Sequence, residues 1–265
     1  MPDNSLREII AAADMVLIGV GEEFDALRSL NRIKGYSDFR SGLKNSDISW
    51  LLPKFDDVYR NKLQSRSGEV LSRLAELLQN KNYFVISTSM NTDIYRVSWK
   101  DKRLVMPLGG CVMKQCGNGC AGSLDSLTDS DNELLNEFVE GFDLTENVNN
   151  QKKTVDIGKC PMCGAGNILN NIYALHYDEN GYLEQWRAYT KWLQGTLNRR
   201  LILLELGAGF NHPEIIRFPF EKIALYNNKA VLYRVNEKLY QLPVELGEKG
   251  NSIAENSIDW LDIMC

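Results

Sequence analysis

The sequence predicts an α/β fold built on a doubly wound parallel sheet. Short runs of consecutive apolar residues alternate along the chain with segments whose apolar residues recur at helical spacing. A strand that is apolar at every position must be buried on both faces, so helices have to cover both sides of the sheet. Buried strands that alternate with helices are typical of parallel sheets, because a crossover helix connects each strand to the next.

Four apolar runs are the predicted strands of this sheet: residues 15–20, 83–87, 200–206 and 230–235. The run RLILLEL at 200–206 is the clearest of them, and MVLIGV at 15–20 is apolar at every position but its glycine. Each run is short enough for a strand and too short for a buried helix.

Helices are predicted between and around these strands. The first begins at a cap formed by Asn4 or Ser5 and ends at Ala13. The others are predicted at residues 22–30, 69–78, 134–139, 183–193 and 253–263. Residues 34–66 carry several aromatic side chains without a clean period, which indicates a satellite module of short helices.

Composition restricts the class of protein. The chain has 265 residues, of which 44% are apolar and 25% charged, enough for one large domain or two modest ones and unlike a disordered chain. The net charge of −5 gives no electrostatic footprint for nucleic acid or an anionic membrane. No apolar run approaches the roughly 20 residues that span a bilayer, and no basic and apolar leader is visible, so a cytoplasmic location is expected.

Cysteine is the most informative residue type in the chain. Five of the six cysteines fall into two clusters, Cys111, Cys116 and Cys120, then Cys160 and Cys163. Close pairs of this kind in a reducing compartment are more often metal ligands than disulfides. The spacings Cys116-x-x-x-Cys120 and Cys160-x-x-Cys163 therefore predict a zinc site. Four thiolates would close the coordination shell, which indicates a structural rather than a catalytic metal.

The alternative is that these cysteines are unrelated buried thiols. Cys111 is expected to be a buried thiol near the site, and Cys265 is expected to have no role. The stretch around the cysteines has no strong apolar period of its own, so a metal is the available source of its stability.

Two glycine turns follow predicted strands. Gly19 and Gly21 end the first strand, and Gly207 and Gly209 follow the third. Ligands of open parallel sheets bind outside the carboxyl ends of the strands, so the two turns together indicate a ligand cleft. The alternative is that the glycines serve only the packing of tight turns.

The residues after the first turn oppose a phosphate ligand. Glu22 and Glu23 place two carboxylates where a pyrophosphate would contact the helix N-terminus, although such carboxylates suit a bare helix N-terminus. The two histidines, His176 and His212, are the few candidates for general acid–base chemistry, and a loop or core position explains each equally well.

Taken together, these residues resemble the sirtuins. The resemblance lies in four places in the right order: VLIGVG at 16–21, SMNTD at 89–93, the two cysteine pairs, and LLELGAGFNHPEIIRFPF at 203–220. The last segment and the spacing of the first cysteine pair are most similar to the bacterial macrodomain-linked sirtuins. The chain is thereby identified as a divergent member of that family.

The resemblance implies a domain organisation and an activity. It implies a Rossmann-like domain formed by residues 1–34, 66–106 and 196–265, a helical module at 35–65, and a small zinc-ribbon domain at 107–195. NAD would bind in the cleft between the domains. Family members remove acyl groups from lysine or transfer ADP-ribose to protein, and the macrodomain-linked branch implies an ADP-ribosyltransferase whose partners are lipoyl-carrier proteins.

The resemblance also assigns residues to the cofactor. It assigns Gly19 and Gly21 to the pyrophosphate, Asn91 and Asp93 to the nicotinamide ribose pocket, and Gly207, Gly209 and Asn211 to the adenosine half of NAD. Catalytic roles fall on Asn91, Asp93 and Arg96.

Several positions depart from the family pattern. Glu22 and Glu23 occupy the last two positions of the phosphate loop, Met90 replaces a glutamine, and Arg96 replaces a histidine. Counting back from the first cysteine pair puts Leu108 at the position of the catalytic base. Leucine cannot accept a proton, so a contribution of roughly 10² to 10⁴ in rate is lost.

Two functional hypotheses follow. The first is an NAD-consuming enzyme of the sirtuin type, an ADP-ribosyltransferase whose ordinary deacylase chemistry is weakened or lost. The second is a non-catalytic, zinc-stabilised sirtuin fold that binds a protein partner or another nucleotide-like ligand. A third hypothesis is an ordinary doubly wound fold in which the glycines serve only the packing of tight turns and the zinc site is the only special chemistry. Pairing of Arg96 with Glu22 or Glu23 across the cleft is a further hypothesis.

Overall fold

The computed structural model describes residues 5–265, which form two sheets and the helices around them. The strands are β1 Met15–Val20, β2 Asn82–Ser87, β3 Leu104–Val105, β4 Gly109–Cys116, β5 Asp125–Ser126, β6 Asn167–Asn171, β7 Leu201–Leu206, β8 Ala230–Val235 and β9 Gly250–Ile253. The α-helices are α1 Leu6–Ala12, α2 Leu27–Leu30, α3 Tyr36–Lys44, α4 Leu52–Lys62, α5 Ser67–Leu77, α6 Thr92–Arg96, α7 Asp129–Glu140, α8 Asn180–Gln194, α9 Arg217–Tyr226 and α10 Ser257–Met264.

The main sheet has the strand order β3-β2-β1-β7-β8-β9, and all of its pairs are parallel. The predicted doubly wound α/β fold is therefore confirmed. All six residues of β1 are buried, because one face packs into a core with α1, α5 and α10 and the other into a core with α8 and α9. This double burial is why β1 and β7 are nearly apolar throughout.

The four predicted strands are all present, but the sheet has two more. The short β3 and the polar β9, with the sequence GNSI, carry too weak an apolar signal to predict. The prediction of one helix at 253–263 is wrong at its start, since β9 ends at Ile253 and α10 begins at Ser257 behind an Asn256 cap.

The prediction of one continuous helix at 22–30 is also wrong. Residues Glu22–Asp25 form a 3-10 turn, Ala26 adopts a left-handed conformation with φ of 54°, and only then does α2 begin. The left-handed residue interrupts the helical hydrogen bonds, which a uniform period cannot reveal. By contrast, Ser5 caps α1 as predicted, in a capping box with Glu8, while Asn4 lies outside the described residues.

The helical segment 35–65 and the cysteine-bearing segment 107–195 share one core. The rings of Phe39 and Phe55 lie 5.7 and 5.3 Å from that of Phe142 on the other segment. The small sheet, in the order β5-β4-β6, is antiparallel and packs at this core through Cys111 and Leu169. The predicted domain boundaries remain a prediction.

A buried ion pair joins two neighbouring strands of the main sheet. Glu205 on β7 and Arg234 on β8 lie opposite each other in register, and the guanidinium donates to the carboxylate at 2.7 and 2.9 Å. Both side chains are almost fully buried, and Arg234 also donates to Glu221 and to the carbonyl of Gln241. Pairing of this kind makes the burial of two charges tolerable.

None of the helices in the described part of the chain is long and apolar enough to cross a membrane.

Candidate nucleotide cleft and cysteine site

The four predicted zinc ligands come together in the structure. The Sγ atoms of Cys116, Cys120, Cys160 and Cys163 all lie within 4.8 Å of one another, and those of Cys116 and Cys163 are 3.5 Å apart. Tetrahedral zinc with bonds of about 2.3 Å requires sulfur–sulfur distances of about 3.8 Å. The cluster therefore has the donor type, number and spacing that fit a closed structural zinc site.

The chain around Cys116 favours its thiolate form. Hydrogen bonds from the backbone at Cys120 and Asn118 lower the pKa of Cys116 to about 6. The two pairs arrive from the end of β4 and from the tight loop before β6, and Gly119 and Gly164, both with positive φ, allow the chain to turn there. Cys111 is buried apart from the cluster, and burial raises the pKa of its thiol.

The second candidate site lies where the strand order of the main sheet reverses. From β1 the chain builds outward through β2 and β3, and β7 is then added on the other side of β1. The carboxyl ends of β1 and β7 meet at this point, and a Cβ at Gly21 would lie 2.3 Å from the Cα of Ala208. Gly21 is required for this approach, so packing explains it fully. The same position is where doubly wound sheets bind ligands.

A cavity of about 970 Å³ opens at this switch point. Its floor includes Gly207 and Gly209, and its walls come from α2, the segment joining α4 and α5, and the loops after β8 and β9. Its size is close to the upper end of the roughly 300–1,000 Å³ common for small-molecule sites. Asn236 and Arg217 hold the glycine turn in place, since each donates a hydrogen bond to the carbonyl of Ala208.

Glu22 occupies one side of this cavity. Its carboxylate accepts hydrogen bonds from the backbone N–H and the side-chain amide of Asn211, at 3.1 and 2.8 Å. A Cβ at Gly209 would lie 2.4 Å from Oε2 of Glu22, so this glycine makes room for the glutamate. Burial raises the pKa of Glu22.

Glu23 is held still more firmly. Its two carboxylate oxygens accept hydrogen bonds from the backbone N–H of Glu237, at 2.8 Å, and of Ser257, at 2.7 Å. Its Cβ fills the space beside Gly207. Glu23 thus joins the carboxyl end of β1 to the loop after β8 and to the start of α10.

The contacts of Glu22 and Glu23 determine whether the pyrophosphate of NAD fits at the glycine turns. The carboxylate of Glu22 lies against Gly209, and the side chain of Glu23 lies against Gly207. A pyrophosphate at these turns would therefore meet two acidic side chains that are already held by hydrogen bonds. In the described conformation the residues do not fit NAD with its pyrophosphate at the glycine turns.

Asn91 and Asp93, predicted to serve the nicotinamide ribose and catalysis, have structural contacts. The amide of Asn91 donates to the carbonyl of Phe24 and to Ser67, and its oxygen caps α6 through the N–H of Asp93. Asn91 is fully buried, and Asp93 accepts a hydrogen bond from Ser67 at 2.7 Å. Their cofactor and catalytic roles remain predictions.

Arg96 does not reach the phosphate loop. Its guanidinium lies 3.6 Å from the carboxylate of Asp93, one turn earlier on α6, and most of the side chain is exposed. The hypothesis that Arg96 pairs with Glu22 or Glu23 is therefore wrong in this conformation, because those two carboxylates accept backbone hydrogen bonds instead. Leu108 is buried, and its carbonyl accepts a hydrogen bond from Ile172.

Two polar residues near the cleft were missed by sequence reasoning. Asp25 accepts hydrogen bonds from the hydroxyl of Ser89 at 2.6 Å and from the N–H of Met90, and burial raises its pKa to about 7. Arg60 on α4 is almost completely buried and lines the cavity. The Asp56-Asp57-x-x-Arg60 pattern was the available signal, but it is also common on solvated helices.

Comparison with known proteins agrees with this architecture, although no family model matches the sequence. The chain is 22% identical over 279 residues to a protein ADP-ribosyltransferase of Staphylococcus aureus, with 95% of this chain and 83% of the relative covered. A solved sirtuin structure matches 100% of this chain and 98% of its own with a TM-score of 0.57 at 12% identity. A Sir2 homologue in complex with NAD matches with a TM-score of 0.54 at 11% identity, covering 98% and 91% of the two chains. This chain therefore has the sirtuin fold, as its four sequence motifs predict.

Proposed function

We propose that this chain is a sirtuin-type nucleotide-binding protein of the NAD-dependent ADP-ribosyltransferase lineage, in which ordinary lysine deacylation is weakened or lost. The cavity of about 970 Å³ at the junction of β1 and β7 carries the proposal. Doubly wound sheets bind nucleotides at this position for a physical reason, since the strand order reverses there and leaves a crevice between adjacent crossovers.

Two proteins to which this chain is similar support a nucleotide as its ligand. One is named a protein ADP-ribosyltransferase, and another was solved with NAD. The four-cysteine cluster supports a structural zinc as part of the proposal, with Cys116, Cys120, Cys160 and Cys163 as the residues that would hold it.

Two side chains support the proposed weakening or loss of deacylation. Leu108 has no proton acceptor at the position that the family resemblance assigns to the base. Asn91 already uses both of its N–H donors and its oxygen within the protein. Neither residue is free to assist an acyl transfer in the described conformation.

Calorimetric titration with NAD and with ADP-ribose tests the proposal, followed by chromatographic detection of released nicotinamide. We expect binding of at least one nucleotide and no deacylation of an acetyl-lysine peptide. Efficient deacylation by the wild-type protein would contradict the second half of the proposal. A Leu108→Gln variant serves as the matched comparison, because it restores a polar group at the position of the base.

The second candidate function is a non-catalytic scaffold, and the contacts of Glu22 and Glu23 favour it. If neither nucleotide binds up to millimolar concentration, the cleft has lost its cofactor and the fold serves to bind a partner.

If NAD is consumed, a lipoyl-carrier protein is the acceptor to test, with transfer followed by the mass of the carrier.

A further inference from the structure

Two loops of the cavity wall are joined by a single buried arginine. The glycine turn at 207–209 follows β7, the loop at 236–239 follows β8, and residues of both line the cavity. Arg217 is the first residue of α9. Its Nη1 donates to the carbonyl of Ala208 at 3.0 Å and to the carbonyl of Leu239 at 2.9 Å. One nitrogen of the guanidinium therefore holds both loops.

Asn236 takes part in the same connection. Its side-chain amide donates to the carbonyl of Ala208 at 3.1 Å, and its oxygen accepts hydrogen bonds from the N–H groups of Lys238 and Leu239, at 3.0 and 2.8 Å. Ala208 is buried, so its carbonyl depends on these donors rather than on water. Because a peptide group is planar and trans, holding this carbonyl also fixes the direction of the N–H of Gly209, a residue that lines the cavity.

Compensation of a buried carboxylate does not account for Arg217. Its Nη1 lies 3.5 Å from the carboxylate of Glu205, whereas Arg234 donates to the two oxygens of Glu205 at 2.7 and 2.9 Å. The shortest contacts of Arg217 are those with the two loop carbonyls. Its side chain is almost fully buried, and the ring of Phe210 lies 4.5 Å from its guanidinium. A charged donor is costly to bury, so its position against two carbonyls calls for a reason beyond charge balance.

We propose that Arg217 is a positioning residue of the cleft, which holds the glycine turn and the loop after β8 at the spacing that a nucleotide requires without itself contacting the nucleotide. Hydrogen bonds from a charged donor are stronger than those between neutral groups, so Arg217 restrains the two loops more firmly than Asn236 does. A shift of about 1 Å in the residues that support a site is enough to weaken its contacts with a ligand. This inference rests on the proposed nucleotide-binding function.

Calorimetric titration of the zinc-loaded protein with ADP-ribose tests the assignment, together with urea unfolding. Arg217→Met removes the donors and the charge, whereas Arg217→Lys keeps a charge beside Glu205 but lacks the planar fork that reaches both carbonyls. We expect Arg217→Lys to recover stability that Arg217→Met loses. We expect both variants to bind ADP-ribose at least tenfold more weakly than the wild type.

Glu221→Gln is the matched control for the charged cluster. Glu221 accepts a hydrogen bond from Arg234 and so belongs to the same cluster, but it is not bonded to either loop carbonyl. We expect its affinity for ADP-ribose to stay within twofold of the wild type. Arg217→Lys with an affinity within twofold of the wild type would overturn the assignment, and so would an equal loss of affinity in Glu221→Gln.

Amide hydrogen exchange measures the positioning without a ligand. We expect the N–H groups at 207–211 and 236–240 to exchange at least tenfold faster in Arg217→Lys than in the wild type, with exchange in β1 unchanged. Unchanged exchange in either loop would overturn the assignment. If exchange in both loops is faster but the wild-type protein does not bind ADP-ribose, the nucleotide-binding function fails, and the hold of Arg217 on the two loops is supported.

Discussion

The carboxylate of Glu22 accepts two hydrogen bonds from Asn211, one from the backbone N–H at 3.1 Å and one from the side-chain amide at 2.8 Å. A glutamate and an asparagine that are 189 residues apart thus meet beside Gly209, at the edge of the cavity. An anion that binds these two N–H donors would have to displace the carboxylate of Glu22.

The first prediction concerns this contact. Glu22→Gln removes the negative charge while keeping the shape of the side chain, so the affinity for ADP-ribose should rise by about tenfold or more, since one close charge repulsion is worth about 1.4 kcal/mol or more. Calorimetry of both proteins at one ionic strength measures the change. Glu248→Gln is the matched control, because Glu248 is exposed and is not part of the cavity. Unchanged affinity in Glu22→Gln would show that Glu22 turns away when the nucleotide binds.

The second prediction concerns Asp25 and pH. Because burial raises its pKa from 3.8 to about 7, the folded state holds a proton that the unfolded state releases between these values. Asp25 therefore stabilises the fold fully below pH 4, and its contribution is lost as pH rises to 7, by up to about 4 kcal/mol.

The Asp25→Asn variant tests this pH dependence. It keeps an oxygen for Ser89 and Met90 and never ionises, so its free energy of unfolding should exceed that of the wild type at pH 8 and match it more closely at pH 4. Urea unfolding at both pH values measures the difference, with the exposed Asp38→Asn as control. A difference that is the same at both pH values would contradict the assignment.

The third prediction concerns the metal. Cys116→Ser should abolish the binding of one zinc ion per chain and unfold the small sheet, because zinc binding in structural sites contributes about 10–16 kcal/mol to folding. Atomic emission measures the metal, and circular dichroism with urea measures stability. Cys265→Ser should leave both unchanged, since Cys265 lies outside the cluster. A fold that survives complete chelation with no change in stability would refute the structural role of zinc.

The fourth prediction compares two glycines with nearly the same backbone. Gly109 and Gly122 have φ of 70° and 72°, but a Cβ at Gly109 would lie 2.3 Å from the carbonyl oxygen of Asn170, whereas one at Gly122 would have nothing within 4 Å. Gly122→Ala should therefore cost about 1 kcal/mol from backbone strain alone, and Gly109→Ala about 3 kcal/mol or more. Urea midpoints for the two variants provide the measurement, and equal midpoints would show that the chain relaxes at Gly109.

The sequence by itself determined the fold class, the four central strands and the four cysteines of the metal site. These features depend on short-range patterns, namely apolar runs such as Met15–Val20 and the spacing of Cys116 from Cys120, which a single segment contains in full. The edge strand β9 lacked such a pattern, and the break at Ala26 depends on one left-handed residue.

Only the tertiary structure decided the character of the cleft. The sequence indicated that Glu22 and Glu23 oppose a phosphate, but their contacts with Asn211, Glu237 and Ser257 exist because the ends of β1, β7 and β8 and the start of α10 converge. Burial and hydrogen bonding between distant segments are properties of the packed chain, and no local pattern contains them.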